Sequence, residues 1–507
     1  MEWSNKTPVA VSTLIYDDRD ERTIDCDFVL PDYCPDIAAV LKCTVTPFIQ
    51  TRQLSGDRLV AEGTVQIKVL YLDEERKKVR VCEFSQPFSS NFVLKNGAGE
   101  MPCCELEART DYVNCRATSP RRLDVHGAFS VHLKIHTAAA EQLLAEPGEA
   151  GLFTRPQKVR STVPVAAVDK SFTVNEVLDI GGRAPIQTLL RTACAIQTEP
   201  PKVLPGKLVL KGLLSVRNVY QTEAEEARTE QVDHEIPFSQ LIDIEGLTDS
   251  WLCRIQPDII SQEIHVTANQ AGANTLLNVN IKLNVNVSCY HTEEVTVWSD
   301  AFSAHCPLKT EKRRVEFTTL QGIETTRHTI KEQVDLPPDD IAEVLDVWAD
   351  APAPTVRREE AVTYVDGRLN MYMLARDKNG QIGYYERTAE YSLPFEDACD
   401  RTLAAVTPLR VDYTPAGNQL EVRVQLEVTR QCIHMNMVDC LTSLSTVENE
   451  AYPPCRAALK VYYADKGESL WEVAKSCRTS MQAVMEENGL TEDILDRDRM
   501  LLIPLSV

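Results

Sequence analysis

The amino-acid sequence predicts a mainly β (α+β) protein with three tandem antiparallel β-rich domains, each with a short helix, and a C-terminal β-α-α-β domain. Three observations support this fold class. Apolar and polar residues alternate in long segments, one set of landmarks recurs three times in the same order, and the pattern changes after about residue 458. The predicted domains cover residues 1–158, 159–310, 311–450 and 458–507.

The clearest strand signal closes each repeat. Apolar residues alternate with polar ones over residues 123–135, 277–287 and 420–428. A period of two residues places one face of a strand in the core and the other face in water. Because strands of parallel sheets are covered on both faces, this pattern favours antiparallel sheets.

A short helix is predicted near the start of each repeat. Ile37, Val40 and Leu41 have the spacing i, i+3, i+4, which puts their side chains on one face of a helix. Pro35 and Asp36 precede them, and both residue types are common at helix starts. The same spacing recurs at Ile186, Leu189 and Leu190, and at Ile341, Val344 and Leu345 after residues 338–340.

Charge and hydropathy exclude several classes of protein. The chain has 53 Lys and Arg residues against 75 Asp and Glu residues, a formal net charge of −22. Nucleic-acid binding depends on basic residues that neutralise phosphates, so we expect no nucleic-acid partner. A bilayer span needs about 18 apolar residues, and no such run occurs, so we expect no membrane insertion. The amino terminus lacks a secretory signal pattern, so a cytoplasmic location is expected.

Chemistry-bearing motifs are missing from the sequence. The Gly-x-Ser-x-Gly, His-Glu-x-x-His and phosphate-binding glycine motifs do not occur, so we expect no enzyme, no catalytic residues and no cofactor. His126, His132 and His136 share a strand face, but we expect them to be solvated and predict no metal site. The 16 cysteines are spread along the chain and are expected to be thiols in a reducing compartment.

The C-terminal segment has its own pattern. A strand over residues 461–464 leads to Ser469, a plausible cap for a helix whose apolar face begins at Leu470. Thr479 or Ser480 caps a second helix, and Asn488-Gly489 ends it. Residues 501–504 form a returning strand, so the segment is predicted to be a β-α-α-β unit.

This segment resembles a LysM domain. The resemblance rests on the run from Gly467 to Trp471, on Ala474 and Asn488, and on the final Leu-Ile-Pro at 502–504. It implies binding of N-acetylglucosamine polymers such as peptidoglycan in a shallow groove. By the same resemblance, the groove that binds glycan or partner is lined by Gly467, Glu468, Ser469 and Leu470 on one side and by Asn488, Gly489 and Leu490 on the other. The usual Pro-Gly-Gln before the last strand is replaced here by Arg497-Asp498-Arg499.

The chain as a whole is similar to spore-coat morphogenetic proteins of the SPOCS-repeat plus LysM type (SipL-like). The residues that carry the similarity are LPDYCPDIAAVL at 30–41 and LPPDDIAEVL at 336–345. This similarity implies a non-enzymatic assembly protein at the forespore surface of the mother cell, with a coat-basement ATPase or another coat protein as partner. The alternative is a peptidoglycan-binding anchor. A third hypothesis, a peptidoglycan hydrolase, requires a pair of carboxylates in a cleft.

Overall fold

The computed structural model describes residues 2–75, 78–95, 97–148, 151–223, 228–335, 341–397, 399–416, 419–447, 451–453 and 457–505. The protein is mainly β, as predicted, and the helices found in these residues belong to the C-terminal segment. Within the described residues, no helix has the length and hydropathy of a membrane span.

The strands that precede the C-terminal segment fall into three consecutive segments. The first segment contains β1 (Glu2–Trp3), β2 (Lys6–Val29), β3 (Ile37–Ser55), β4 (Arg58–Asp73), β5 (Val79–Val93), β6 (Glu100–Ser119) and β7 (Arg122–Leu144). The second contains β8 (Leu152–Asp179), β9 (Ile186–Thr198), β10 (Lys202–Leu204), β11 (Lys207–Thr222), β12 (Thr229–Asp243), β13 (Leu252–Thr267) and β14 (Leu276–Ser303). The third contains β15 (Leu308–Asp335), β16 (Ile341–Asp350), β17 (Thr355–Glu359), β18 (Val362–Asp377), β19 (Ile382–Glu396), β20 (Arg401–Ala416) and β21 (Gln419–Thr446).

One pairing scheme occurs in each of the three segments, as far as the structure describes them. The first long strand pairs with the last, which also pairs with the strand before it, so the long sheets are β2-β7-β6, β8-β14-β13 and β15-β21-β20. Strands between these form the short sheets β3-β4-β5, β9-β11-β12 and β16-β18-β19. All of these pairs are antiparallel, which confirms that prediction. The predicted domain borders at residues 158 and 310 fall inside β8 and β15, and the division into domains stays a prediction.

The alternating segments are the central strands of the long sheets. Their apolar side chains are buried in β7, β14 and β21, and each of these strands is paired on both edges. In β14, for example, Leu277, Ile281 and Leu283 are fully buried. The period-two pattern therefore located the core of each segment correctly.

The predicted short helices at residues 37–41, 186–190 and 341–345 are wrong, because these residues begin β3, β9 and β16. Each of these strands contains two register shifts in its first residues, where one extra residue interrupts the pairing. Such β-bulges reset the period-two alternation. Two bulges in quick succession therefore produce a spacing that resembles a helical face. The predicted helix start at residues 338–340 lies outside the described residues.

The three segments pack around a shared apolar cluster. Residues at matching positions of the three short sheets form this cluster. They include the bulge residues Leu41, Leu190 and Leu345, and the central-strand residues Leu70, Val219 and Leu374. Beside it, Arg191 of the second segment forms a bidentate ion pair with Asp346 of the third, at 2.6 and 2.8 Å. Asp346 is only 2% exposed. At the chain's start, Trp3 in β1 pairs with Leu444 in β21, which joins the amino terminus to the third segment.

One cysteine pair departs from the expectation of free thiols. Cys399 and Cys432 form a disulfide, and their Cα atoms lie 5.5 Å apart. Cys432 lies in β21, and Cys399 lies just before β20, the strand that pairs with β21. Strand pairing thus brings together two residues that are distant in sequence.

The C-terminal segment has the predicted β-α-α-β order. It consists of β22 (Leu459–Ala464), α1 (Leu470–Cys477), α2 (Met481–Asn488) and β23 (Arg499–Pro504), with β22 and β23 antiparallel. We call it the C-terminal unit. Its core contains Leu470, Val484, Leu501 and Ile503, all fully buried. Ser480 caps α2 by accepting a hydrogen bond from the Ala483 amide at 3.0 Å, as predicted.

Candidate functional site

The loop between β22 and α1 is one side of the predicted groove. Gly467 has a φ of +87°, a conformation that favours glycine. Its amide donates to the Leu495 carbonyl at 2.8 Å, and the Leu495 amide donates to the Glu468 carbonyl at 3.1 Å. These bonds hold the loop against the segment that precedes β23.

The Glu468 side chain is engaged within its own unit. One carboxylate oxygen accepts from the Tyr462 hydroxyl at 2.6 Å, and the other accepts from the Asp465 amide at 3.2 Å. The hydrogen bond to Glu468 raises the pKa of Tyr462, since it favours the protonated phenol. Glu468 therefore fixes the loop to β22.

The start of α1 depends on a residue that the sequence did not indicate. Ser469 holds the N-cap position, but its hydroxyl donates to the Asp493 carboxylate at 2.8 Å instead of capping the helix. The same carboxylate accepts from the Trp471 amide at 3.0 Å. Asp493 is therefore the residue that caps α1. Leu470 is fully buried, and its amide donates to the Asp493 carbonyl at 2.7 Å, so this residue is not open to a groove.

The other side of the predicted groove begins at the end of α2. The Asn488 side-chain amide donates to the Val484 and Leu502 carbonyls at 2.8 and 2.7 Å, and its oxygen accepts from the Leu502 amide at 2.8 Å. Gly489 is the C-cap, with a φ of +62°. The Leu490 amide donates to the Met485 carbonyl at 2.9 Å. Asn488 thus binds α2 to β23.

The predicted groove residues form two separate hydrogen-bonded groups. Residues 467–470 bond to residues 493–495, whereas Asn488 bonds to Leu502 and its own helix. Their side chains mainly hold the unit together. Their role in binding stays a prediction.

One side of the C-terminal unit is docked on the long sheets. The Trp471 indole donates to the Asp300 carboxylate of β14 at 2.9 Å, and Lys475 bonds to the same oxygen at 2.6 Å. Lys312 of β15 lies 3.3 Å from the other Asp300 oxygen. Trp471 also packs edge-to-face on Phe302, with ring centroids 5.0 Å apart. These contacts were missed, since nothing in the sequence pairs β14 with α1.

The hydrogen bonds and lysine charges at this docked side favour the ionised form of Asp300. Burial alone would raise the pKa of Asp300, but hydrogen bonds from Lys475 and Trp471 and the nearby lysine charges lower it overall. A second contact joins Arg155 of β8 to Asp493 at 2.6 Å. The carboxylate that caps α1 therefore also binds the unit to the second segment.

The opposite side of the C-terminal unit is bare and apolar. Alternate residues of β22 and their partners in β23 share the sheet face that is turned away from the helices, and we call this set the apolar face: Leu459, Val461, Tyr463, Met500, Leu502 and Pro504. Tyr463 is 78% exposed, Met500 is 55% exposed and Val461 is 48% exposed. A solvated sheet face normally carries polar residues, so this face has the character of an interaction surface.

Other carboxylates lie in a cleft and on the outer face of β7, and not all of them are in ion pairs: burial raises the pKa of Asp258, in the cleft, to about 7. A cleft of about 500 Å³ between the first and second segments contains Asp169, which accepts from Arg52 at 2.8 Å and from the Asn284 and Asn286 amides at 3.2 and 3.3 Å. In β7, His126 is flanked by Asp25, 3.1 Å from its Nδ1, and by Asp124, 2.9 Å from its Nε2. The two carboxylates approach opposite ring nitrogens, an arrangement that suits hydrogen bonding to imidazole better than a shared metal ion.

Comparison with known proteins supports part of this organisation. A family model described as the SPOCS domain of SipL matches residues 36–118 and 185–267. The matched ranges cover β3–β6 in the first segment and β9–β13 in the second, which are corresponding sets of strands. No curated protein and no solved structure matches the chain.

Proposed function

We propose that this protein is a non-enzymatic spore-coat assembly protein that binds a protein partner, a coat-basement ATPase, through the apolar face of its C-terminal unit. The single observation that carries the proposal is that face, whose six side chains are all apolar and partly or largely exposed. The two matches to the SPOCS domain support a role connected with sporulation.

A protein partner suits the apolar face better than a sugar does. Burial of exposed apolar side chains is the main source of affinity between proteins, and aromatic residues and methionine are enriched at such interfaces. Tyr463 and Met500 lie opposite each other at one end of the face. A sugar, by contrast, needs polar groups that are free to bond to hydroxyls. The Glu468 and Asn488 side chains bond within the unit instead.

In this proposal the C-terminal unit is a LysM domain, and the three segments are tandem SPOCS-type domains that form a scaffold. The β-α-α-β order and the threefold pairing scheme support this division. The scaffold holds the C-terminal unit by one side, through Asp300 and Arg155, and leaves the apolar face open. The protein would act in the mother-cell cytoplasm at the forespore surface.

The experiment is a binding titration of the full-length chain against the purified coat-basement ATPase. The Tyr463→Ser and Val461→Ser variants should each bind at least about tenfold more weakly, as expected when an apolar side chain that the partner buries is replaced by a small polar one. The matched control is Tyr112→Ser, because Tyr112 is also an exposed tyrosine but lies in β6. The control should bind like the unchanged chain.

A parallel sedimentation assay with insoluble peptidoglycan tests the alternative. If the full-length chain sediments with peptidoglycan and shows no affinity for the ATPase, the proposal is wrong and the anchor hypothesis takes its place. If the ATPase binds all variants equally, the apolar face is not the docking surface.

A further inference from the structure

Two cysteines of the second segment lie directly opposite each other. Cys253 in β13 and Cys289 in β14 are register partners, and their sulfur atoms are 3.1 Å apart. Partners in an antiparallel pair have Cα atoms about 4.5–5.5 Å apart. Disulfides form between Cα atoms about 4.4–6.8 Å apart. Strand pairing therefore places these two thiols in the geometry that a disulfide needs.

The third segment has a disulfide at the corresponding position. Cys289 in β14 and Cys432 in β21 occupy the same place, counted from the start of each strand. Both also lie beside the bulge where the first long strand of the segment has one extra residue. Since Cys432 is bonded to Cys399, the fold accommodates a disulfide at this position.

We propose that Cys253 and Cys289 are a modification site at which a low-molecular-weight disulfide oxidises the two thiols to an intrachain disulfide. The Cys253 thiolate attacks one sulfur of the small disulfide, which forms a mixed disulfide and releases one small thiolate. The Cys289 thiolate then attacks the Cys253 sulfur and displaces the second small thiolate. Two protein thiols are oxidised, one small disulfide is reduced to two small thiols, and the protons of Cys253 and Cys289 go to those thiols.

The order of attack follows from access and acidity. Cys253 is half-buried and can meet an oxidant, whereas Cys289 is fully buried with its sulfur 3.1 Å from that of Cys253. The hydrogen bond between the two thiols lowers the pKa of Cys253 and raises the pKa of Cys289. Since the thiolate is the attacking species, Cys253 reacts first.

The bond would fasten the edge of a sheet. β13 pairs with β14 and has no other strand partner within the described residues. The two cysteines are 36 residues apart in sequence, so their linkage would close a loop that contains the β13–β14 turn. A cross-link of that length restricts the unfolded chain and keeps β13 on the sheet.

The test uses the full-length chain, oxidised with glutathione disulfide, alkylated under denaturing conditions without reductant, and digested for mass spectrometry. We expect a cross-linked peptide that joins residues 253 and 289, the loss of two alkylatable thiols, and a higher Tm than that of the reduced chain. Reduction before alkylation should restore both thiols.

Two variants provide the controls. Cys440→Ser removes a fully buried thiol of β21, away from the pair, and should leave the cross-link and the oxidation-dependent Tm shift intact. Cys253→Ser should abolish the cross-link and should reduce the Tm shift to the part that the Cys399–Cys432 disulfide contributes. If Cys253 and Cys289 of the unchanged chain are both alkylated after oxidation, or are linked to other cysteines, the proposal is overturned.

Discussion

The three segments meet at the shared apolar cluster around Leu190 and Leu345 and at the Arg191–Asp346 ion pair, and we call this contact the convergence. The convergence and the docked side of the C-terminal unit are both interfaces within one chain, but they are built differently. The convergence has a continuous apolar cluster and an ion pair whose carboxylate is almost fully buried. At the docked side, only Phe302 and Phe153 of the second segment join the apolar core of the C-terminal unit. The polar contacts there are a carboxylate shared by Trp471 and two partly exposed lysines, and the Arg155–Asp493 ion pair. Buried apolar area is the larger source of stability. The scaffold should therefore be firmly assembled, and the C-terminal unit should be separable from it.

The largest effect should come from Asp346→Ala at the convergence. Removal of this carboxylate leaves the largely buried Arg191 guanidinium without its counter-ion, which costs about 3–5 kcal/mol. Thermal unfolding of the scaffold should shift to a clearly lower Tm. The control is Glu294→Ala, which breaks the exposed pair with Lys158 and should leave the Tm unchanged. Equal shifts in the two variants would contradict the account of the convergence.

A smaller, local loss is expected for Asn488→Ala. The side chain makes three hydrogen bonds that join α2 to β23, and their removal should cost about 1–3 kcal/mol. Limited proteolysis should cleave within residues 459–505 sooner, while the scaffold stays intact. An unchanged cleavage rate together with a loss of glycan binding would assign Asn488 to a sugar site.

Replacement of Asp300 at the docked side should cost less stability than the two changes above. Docking of the C-terminal unit should also weaken at acid pH. Asp300→Asn keeps the shape but loses the charge that Lys475 and Lys312 contact, at a cost of about 1–2 kcal/mol. Because the pKa of Asp300 is lowered in the folded protein, the stabilisation is present above the ordinary carboxyl pKa and is lost as the pH falls through the lowered value. Proteolytic release of the unit should therefore increase at acid pH in the unchanged chain.

The Asp300→Asn variant should show release at neutral pH and a weaker response to acid. Phe302 and the Trp471 ring still make contact in this variant, so release should be partial. An acid response identical to that of the unchanged chain would show that Asp300 does not control docking.

Tyr463→Ser should have the smallest effect on stability, within about 0.5 kcal/mol, since Tyr463 is an exposed residue of a sheet face. The Tm should be unchanged within error. A large drop in Tm would mean that the apolar face stabilises the fold and is not reserved for a partner.

Some of this structure follows from residue patterns, and some does not. The alternation in β14 and the β-α-α-β order were predictable, because both depend on local periodicity. The bulged starts of β3, β9 and β16 were not, because two adjacent bulges produce a helix-like spacing. In β22, one strand face carries Leu459, Val461 and Tyr463, and the other carries Lys460 and Tyr462. From the period-two pattern alone, the more apolar first face would be expected in the core. The structure leaves that face outside, because the helices cover the other face.

Asp493 and Asp300 show what lies beyond sequence patterns altogether. Each acts through a partner that is far away in the chain: Asp493 through Arg155, and Asp300 through Trp471 and Lys475. Only the three-dimensional packing of the C-terminal unit on β8 and β14 brings these groups together.

The most direct test of the central claim is the affinity of the full-length chain for the coat-basement ATPase, measured by calorimetry with the unchanged chain and with Tyr463→Ser. The account predicts specific binding by the unchanged chain and a loss of at least about tenfold in the variant at equal Tm. Equal affinities, or no binding by either chain, would contradict it.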